Sequence, residues 1–465
     1  MATYSDYNSA GLNQQLNPLT HQDFIQLVNV DSQPFGAKTK RAGYATYLSS
    51  LGARVDTLFT WQKDNGTQFW NYAAAGGTLF SSQQGTGAWT VTGNGTITDG
   101  TVFHAVLEDT LVLTTPTGTA LSTTNGTSFG TMASAPVGGV GAVEFQNRMW
   151  LLGTASKMFY STTGTPTDWV SDSSSITIPG AGKLLSGFKS ADRLIVTKNL
   201  GAMFRWDGFS LVDLATDLGP SSNRSIVNVE DYRFYLNRQG HFGFVGGKPE
   251  LTSNVIQPQI YNNANSGIVG TVFDNAPSGE FRYDAYTAVG SITDDLTNEP
   301  INNALQIYNY QLNEWRNYSF ASLPTAFNTY KDAAGVEQSI FGDSTGQCYT
   351  FGGTSLSDNG QAIAASMQMV VHGGVPYIDK RWKRIWLFFN PGCQAQVMAA
   401  CENTFHPNTK KWIPLGDAKS GVVEFNFPPN SRSKLLFLKI TESSIDARFT
   451  FYGYTVEFDP EGQNR

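Results

Sequence analysis

The sequence predicts an all-β fold: a seven-bladed β-propeller (six to eight blades fit the pattern), an extended N-terminal arm and a C-terminal β-sandwich-like domain. The first observation is the composition, since the 465 residues include 13% aromatic residues, 47 glycines and only 15% charged residues. Aromatic residues favour strands, and glycine favours tight turns. Long runs of strong helix formers do not occur in the sequence, so we expect no long helices.

The second observation is a repeat of short strands and turns. Three similar segments begin at Ala142, Leu185 and Ile226. In each segment an arginine follows the first turn, and these residues are Arg148, Arg193 and Arg233. Their spacing of about 40 to 45 residues is the length of one four-stranded propeller blade.

Less regular copies flank these segments and begin at Val55, His104, Ala285 and Ala326. Seven candidate blades therefore lie between Val55 and Gly353. An irregular pair of β-sandwiches with coincidental spacing is the alternative interpretation.

Large aromatic residues stand near the ends of several units. A buried ring removes much apolar area from water, so we expect these residues to pack between neighbouring blades rather than to stack on a ligand. They are Trp89, Phe129, Trp169, Phe209 and Trp315.

The domain boundaries follow changes in pattern along the chain. Residues 1–54 have no strong period and predict an arm that wraps the propeller or completes one blade. Residues 55–353 hold the repeat, and residues 354–364 contain the polar stretch SLSDNG, which predicts a linker. Longer alternating strands with Pro/Gly turns in residues 365–465 predict a separate β-sandwich.

The charge balance bears on the class of partner. The net charge of −7 and the pI near 5.3 argue against a protein that binds nucleic acid tightly, because phosphate binding needs clustered Lys and Arg. A mildly acidic wall, however, would leave DNA mobile beside it. The polar start predicts no secretory signal, no apolar stretch predicts a membrane span, and the three cysteines lack CxxC spacing. We therefore expect a soluble protein made in a reducing cytoplasm.

No catalytic motif stands out, and no cofactor is expected. The five histidines are far apart, and HExxH and P-loop patterns are missing from the sequence. The loop ITDDLTNEP gathers four residues with oxygen ligands that could hold calcium, although a solvated turn is the favoured interpretation. These residues are Asp294, Asp295, Asn298 and Glu299.

The most basic stretch is KRWKRIW, residues 380–386. Basic residues interleaved with tryptophans can bind single-stranded nucleic acid, but on an acidic protein an edge strand guarded by charge, or a contact with an acidic partner, is favoured. The candidate contact residues are Lys380, Arg381, Lys383 and Arg384.

The stretch STTNGTSF, residues 122–129, resembles the Asp-box of sialidases and related propellers, Ser-x-Asp-x-Gly-x-Thr-Trp. Ser122 and Gly126 match, Phe129 stands where Trp would, and Thr124 replaces the Asp. The box stabilises a turn, so the resemblance implies a propeller and not catalysis. It leaves open an alternative function, a propeller that binds or cleaves host surface glycans.

Longer phrases resemble those of the tail hub or nozzle proteins of short-tailed bacteriophages, also called DNA-stabilisation proteins. The phrases are NVDSQPFGAKTKRAGYATYL (29–48), NRMWLLGTASKMFYSTTGTPTDW (147–169), the segment 218–256, and FGDSTGQCYTFGGTSLSDNGQAI (341–363), in which Ala362 replaces the family's Pro. The resemblance covers about residues 10 to 363.

Membership of that family would imply a virion protein synthesised in the host cytoplasm. It implies a homo-oligomeric ring, commonly of six copies, around a DNA channel, without enzymatic activity. The implied partners are the adaptor or portal side of the tail, fibre or needle proteins, and DNA that passes without sequence-specific contacts. The phrases do not distinguish a nozzle from other tail components.

Overall fold

The computed structural model describes residues 2–6, 24–33, 36–63, 68–83, 87–97, 100–260, 276–294, 296–332, 334–371, 373, 377–402, 410–419 and 421–461. These residues form an all-β structure, with short 3₁₀ turns at Asn223–Ser225 and Asn254–Ile256. In the described part of the chain, no helix is long and apolar enough to span a membrane.

The N-terminal arm contributes five short strands, which pair with distant parts of the chain. They are β1 (Ala2–Asp6), β2 (Phe24–Val28), β3 (Val30–Ser32), β4 (Lys38–Lys40) and β5 (Tyr44–Thr46).

Five separate antiparallel sheets of four strands follow, and we name them units 1 to 5. Unit 1 contains β6 (Val55–Gln62), β7 (Phe69–Ala75), β8 (Thr78–Gln83) and β9 (Thr90–Thr96). Unit 2 contains β10 (Phe103–Leu107), β11 (Thr110–Thr114), β12 (Leu121–Thr123) and β13 (Gly130–Thr131). Unit 3 contains β14 (Gly139–Phe145), β15 (Arg148–Gly153), β16 (Lys157–Tyr160) and β17 (Ser174–Thr177).

Units 4 and 5 have the same topology. Unit 4 contains β18 (Leu184–Ser190), β19 (Arg193–Lys198), β20 (Met203–Trp206) and β21 (Leu211–Ala215). Unit 5 contains β22 (Val227–Val229), β23 (Tyr232–Asn237), β24 (Gly240–Phe244) and β25 (Glu250–Leu251).

The next two units are parts of larger sheets. Unit 6 contains β26 (Ser278–Phe281), β27 (Asp284–Thr293), β28 (Pro300–Asn309) and β29 (Glu314–Ser319). Unit 7 has three strands from its own segment, β30 (Pro324–Lys331), β31 (Glu337–Asp343) and β32 (Cys348–Phe351). Its fourth strand is β5 of the arm, which pairs antiparallel with β32.

The C-terminal region forms two sheets that share a hydrophobic core. Its strands are β33 (Ser357–Asp358), β34 (Gln361–Ala362), β35 (Ala365–Val371), β36 (Lys380–Phe389), β37 (Ala395–Glu402), β38 (Ile413–Ala418), β39 (Val422–Asn426), β40 (Arg432–Ser433), β41 (Leu435–Glu442) and β42 (Thr450–Pro460). The short β33 and β34 extend the sheet of unit 7, whereas the remaining strands build the two C-terminal sheets.

Two sequence-based expectations about this region need correction. The predicted linker is part of a sheet, because β33 pairs with β5 and β34 pairs with β33. The C-terminal region is also not separate, since β2 joins β29 of unit 6 to β35 in one continuous nine-stranded sheet. Both corrections arise because the arm supplies strands that connect distant segments.

The units are arranged as in a β-propeller, with the first strand of each unit innermost. First strands of neighbouring units lie side by side, as β10 and β14, β14 and β18, and β26 and β30 do. Unit 7 meets unit 1 through hydrogen bonds from the Thr325 hydroxyl to the Val55 carbonyl (2.6 Å) and from Asn328 to the Thr60 hydroxyl (2.6 Å).

In each antiparallel unit, the turn between strands one and two and the turn between strands three and four lie on the same face. We call this surface the turn face. Contacts between units agree with this placement, since Gln146 in the first turn of unit 3 donates to the Asp207 carbonyl in the last turn of unit 4 (3.0 Å).

Candidate functional site

The innermost strands enclose an axial pocket of about 310 Å³. Residues from six of the units and from the segment that precedes unit 5 line it, among them Thr57, His104, Ser186, Ser278 and Phe327. Its volume is that of a small-ligand cavity.

Arg224 lies across this pocket. Its main-chain N–H donates to the Ser222 hydroxyl (3.1 Å), which fixes the 3₁₀ turn that carries it. Its guanidinium donates to the carbonyls of Asp56 in unit 1 (2.8 Å) and Thr325 in unit 7. Burial lowers the pKa of Arg224, and the nearby Arg54 lowers it further. One side chain from the segment before unit 5 thus binds units 1 and 7 across the axial pocket.

The arm carries three buried cations in the four residues Lys38-Thr-Lys40-Arg41. Lys38 pairs with Glu314 of unit 6 (3.3 Å), and Lys40 pairs with Glu442 of the C-terminal region. Each ion pair joins the arm to a different part of the molecule. Separation of a buried ion pair leaves an unpaired buried charge, which costs folding free energy. These pairs therefore favour one relative position of the arm, unit 6 and the C-terminal region.

Arg41 makes the most extensive of these contacts. Its guanidinium binds the carboxylate of Asp358 in a bidentate manner (2.8 and 2.5 Å), and its Nε donates to the side-chain oxygen of Asn29 (2.8 Å). A further hydrogen bond reaches the Ser319 carbonyl (3.0 Å), and the guanidinium lies over the Phe320 ring at 4.6 Å. The cluster joins the arm, unit 6 and β33. Sequence reasoning missed it because partners about 300 residues away leave no local signal.

Four of the five aromatic residues singled out in the sequence are buried between units. Trp89 lies between units 1 and 7, Phe129 between units 1 and 2, and Trp169 between units 2 and 3. Trp315 of unit 6 donates to the Thr252 carbonyl of unit 5 (3.0 Å).

Phe209 is the exception, because 93% of it is exposed. It lies in the last turn of unit 4, where the Asp207 carboxylate accepts hydrogen bonds from the main chain of Phe209 (2.9 Å) and Ser210 (2.7 Å). In unit 3, Asp168 binds the main chain of Val170 in the same way (3.0 Å), and Val170 is also exposed. The second residue after the capping carboxylate therefore points outward, and the prediction that Phe209 packs between blades was wrong.

These caps hold their turns through charge-assisted hydrogen bonds. Hydrogen bonds from main-chain N–H groups lower the pKa of each carboxyl to about 2. The N–H of Val170 contributes most for Asp168, and the N–H of Ser210 contributes most for Asp207. In unit 2, Asn125 has the same role, since its side-chain oxygen accepts from the main chain of Thr127 and Ser128 (both 3.0 Å). In this turn, which resembles the Asp-box, the capping side chain is thus Asn125 and not residue 124, where the Asp-box has its Asp.

The calcium candidates form ion pairs and turn contacts. Asp294 is fully buried, and its carboxylate accepts from Leu296 N (3.2 Å), Thr297 N (2.9 Å) and the Thr297 hydroxyl (2.8 Å). Glu299 accepts from Lys439 (2.5 Å) and Gln26 (3.0 Å). Burial lowers the pKa of the neighbouring Lys410 to about 8. Asp295 lies outside the described residues, and Asn298 has a left-handed backbone (φ +55°).

Two cations therefore stand where a divalent ion would have to approach. Within the described residues, no group of three or more His, Cys, Asp or Glu side chains has the arrangement of a metal site. The loop joins unit 6 to the C-terminal region through charge pairs, and it differs from the solvated turn expected from the sequence because Asp294 is buried.

The basic stretch 380–386 is an interior strand and not the expected edge strand. Strand β36 pairs with β42 on one side and with β39 and β40 on the other. Arg384 pairs with Glu457 (2.8 Å) and Glu424 (3.4 Å), Lys383 pairs with Asp459 (2.9 Å), and the ammonium of Lys380 donates to the Lys434 carbonyl (3.0 Å). Burial lowers the pKa of Lys380 to about 8, whereas Arg381 is exposed. Most of the basic side chains of this stretch thus make ion pairs and hydrogen bonds within the C-terminal region.

Buried histidine and cysteine side chains have structural environments. His241 Nε2 lies 2.8 Å from Gln306 Oε1, its ring packs on Trp315 at 4.8 Å, and burial lowers its pKa to about 4. Burial raises the pKa of Cys348 to about 12, so this thiol stays protonated at neutral pH. His21, His372 and His406 lie outside the described residues.

No protein-family model matches the chain, and no curated protein sequence matches it. Among solved structures, the chain is similar to BamB from Moraxella catarrhalis (10% identity, TM-score 0.39, 76% of this chain and 98% of that one). It is also similar to YCF48 from Cyanidioschyzon merolae (11%, 0.43, 67% and 98%) and to Saccharomyces cerevisiae Sqt1 (10%, 0.43, 67% and 98%). Likeness at these identities concerns the fold alone.

Proposed function

We propose that the seven units are the blades of one closed propeller and that the C-terminal sheets form a β-sandwich fused to it. We further propose that the protein is a structural component of a bacteriophage tail, a hub or nozzle, which forms a homo-oligomeric ring around the DNA. Six copies are favoured. In this role the ring retains the packaged genome and permits its ejection, in contact with adaptor and fibre or needle proteins.

The observation that carries this proposal is the joining of arm, propeller and sandwich into one body by buried ion pairs. Lys38, Lys40 and Arg41 reach unit 6, the sandwich and β33 from four consecutive residues. A ring that withstands the pressure of packaged DNA needs subunits whose parts do not shift. The sequence phrases shared with tail proteins support the same role.

The proposal also assigns the DNA path. Arg224 and the side chains around it leave an axial pocket of about 310 Å³, so the duplex would pass between subunits and not through a propeller. Residues 55–353 contain 25 acidic against 15 basic residues, and this excess would keep DNA from adhering to the wall.

Electron microscopy of the purified chain, and of virions that contain it, tests this function. We expect a ring with a central opening wide enough for a duplex, located in the tail. A chain that is absent from virions would refute the tail function. Turnover or binding on a panel of host glycans would instead favour the carbohydrate alternative.

A further inference from the structure

The axial pocket holds a cation that has no carboxylate partner among the described residues. Arg41 and Arg316 are also removed from water, and each of them binds a carboxylate, Asp358 and Asp284. Arg224 instead donates to two carbonyl oxygens, and these uncharged groups offset only part of its charge. Removal of a charge from water costs free energy unless an opposite charge pairs with it, so the pocket favours an anion beside Arg224.

The fixed charges around Arg224 do not supply this anion. Asp56 is the one acidic residue among the described residues that line the pocket, and its carboxylate already pairs with Nε of Arg54 (3.2 Å). Burial lowers the pKa of Arg224, Arg54 lowers it further, and Asp56 raises it by less than Arg54 lowers it. Positive charge is therefore in excess at this end of the pocket.

β-Bulges fix the guanidinium of Arg224 in place before any ligand arrives. The strand pairings of units 1, 3, 4 and 7 each skip one residue near the start of the innermost strand, and these residues are Asp56, Val140, Leu185 and Thr325. A bulge leaves the extra residue out of the ladder. In units 1 and 7, the carbonyls of these extra residues accept from Nη2 of Arg224. A group held in this way loses little conformational entropy when a ligand binds.

Three side chains of the pocket retain hydrogen-bond donors. The carbonyl contacts of Arg224 use Nη2, whereas its Nε and Nη1 make no hydrogen bond in the described part of the chain. The side-chain amide of Asn223 and the ring nitrogens of His104 also have no hydrogen-bond partner there. Burial lowers the pKa of His104 to about 4, so its ring is neutral at pH 7 and offers one N–H. All three residues are half-buried and not sealed, so small solutes reach these donors.

The rest of the pocket wall includes a set of half-buried apolar residues. They are Phe103, Val140, Ile226, Pro277 and Phe327. They come from the starts of the innermost strands and the residues just before them, so the pocket lies away from the turn face. An apolar wall with a few donors at one place is the usual form of a small-molecule site.

We propose that the axial pocket binds a small organic oxyanion, a carboxylate or a phosphate ester with a short hydrocarbon body. Its charged head accepts charge-assisted hydrogen bonds from Arg224, and Asn223 and His104 supply further donors. Its hydrocarbon body lies against the apolar wall. This site does not depend on the proposed tail function.

The first test compares four probes that share a short hydrocarbon body and differ in the head. Butyrate and butyl phosphate carry an oxyanion, butanol is neutral, and butylamine is a cation. Saturation-transfer NMR at constant ionic strength measures their binding to the full-length chain. We expect at least one of the two anions to bind with a Kd on the order of 1 mM, and butanol and butylamine to bind at least about tenfold more weakly. The tighter of the two anions identifies the head group.

The second test removes the cation. Arg224→Gln should weaken binding of the anionic probe by about tenfold or more, because the charge-assisted contacts are lost. Arg233→Gln is the matched control. Arg233 also donates through Nη2 to a carbonyl of a neighbouring unit, that of Lys189 (2.9 Å), but it does not line the pocket. This variant loses the same kind of contact between units and should bind the probe as the wild type does.

Two milder variants keep the inference testable if Arg224→Gln does not fold. Asn223→Ala removes one donor, and His104→Phe removes the ring nitrogens but preserves the stacking on Phe59. We expect each to weaken binding of the anionic probe by a factor of about three to ten.

Three results overturn the inference. In the first, neither anion binds the wild type at about ten times the expected Kd. In the second, butanol or butylamine binds as tightly as the anions, so charge is not recognised. In the third, the anions bind Arg224→Gln, or both milder variants, as tightly as the wild type. None of these results affects the tail function, which the presence of the chain in virions tests separately.

Discussion

The substitution Trp169→Ala should destabilise the fold strongly, although the residue belongs to a long surface loop of unit 3. Trp169 is only 7% exposed, packs among Leu107, Met132 and Met149 between units 2 and 3, and donates its indole N–H to the Pro166 carbonyl (3.0 Å). A tryptophan buries roughly 200 Å², worth about 5 kcal/mol at 25 cal/mol per Å². Residual burial in the unfolded chain reduces this value, so we expect a loss of about 3 to 5 kcal/mol.

Urea unfolding measures this loss as a shift of the midpoint at unchanged slope. Phe209→Ala is the control, because the sequence suggests the same role for Phe209 and the structure exposes its ring. We expect its free energy of unfolding to stay within about 0.5 kcal/mol of the wild type. Equal effects of the two substitutions, or a loss below about 1 kcal/mol for Trp169→Ala, would refute the assignment of Trp169 to the contact between units.

Three further predictions concern buried charge. Arg41→Met leaves the Asp358 carboxylate buried without its bidentate partner and should cost about 3 to 5 kcal/mol in urea unfolding, and adding Asp358→Asn should restore part of the loss. The pKa of His241 is lowered by burial from 6.5 to about 4, so its contribution to stability is complete above pH 6.5 and is lost as the pH falls toward 4. His241→Gln should make the stability profile less steep in that window, while His104, whose pKa burial also lowers to about 4, keeps its own contribution; an unchanged profile would contradict the burial argument. Millimolar calcium should not shift the melting temperature, because the Asp294 carboxylate already caps its own turn, and a shift abolished by Asp294→Ala would contradict this.

The sequence predicts local features of this fold well because they depend on residues close together in the chain. The units expected to begin at Val55 and Leu185 start with strands that begin at Val55 and Leu184. The spacing of the repeat alone does not predict that Phe209 is exposed. Its exposure follows from its place two residues after the capping Asp207. A comparison of Asp168-x-Val-Ser with Asp207-x-Phe-Ser indicates that both apolar residues point outward.

The contacts of the arm could not be predicted from the sequence. Lys38, Lys40 and Arg41 form a basic run, which in a sequence is typical of a solvated surface. Their partners Glu314 and Glu442 are hundreds of residues away, and only the folded topology brings them together. For the same reason, the interior position of β36 could not be predicted. Its neighbours β39 and β42 lie further along the chain, and no local pattern distinguishes an interior strand from an edge strand.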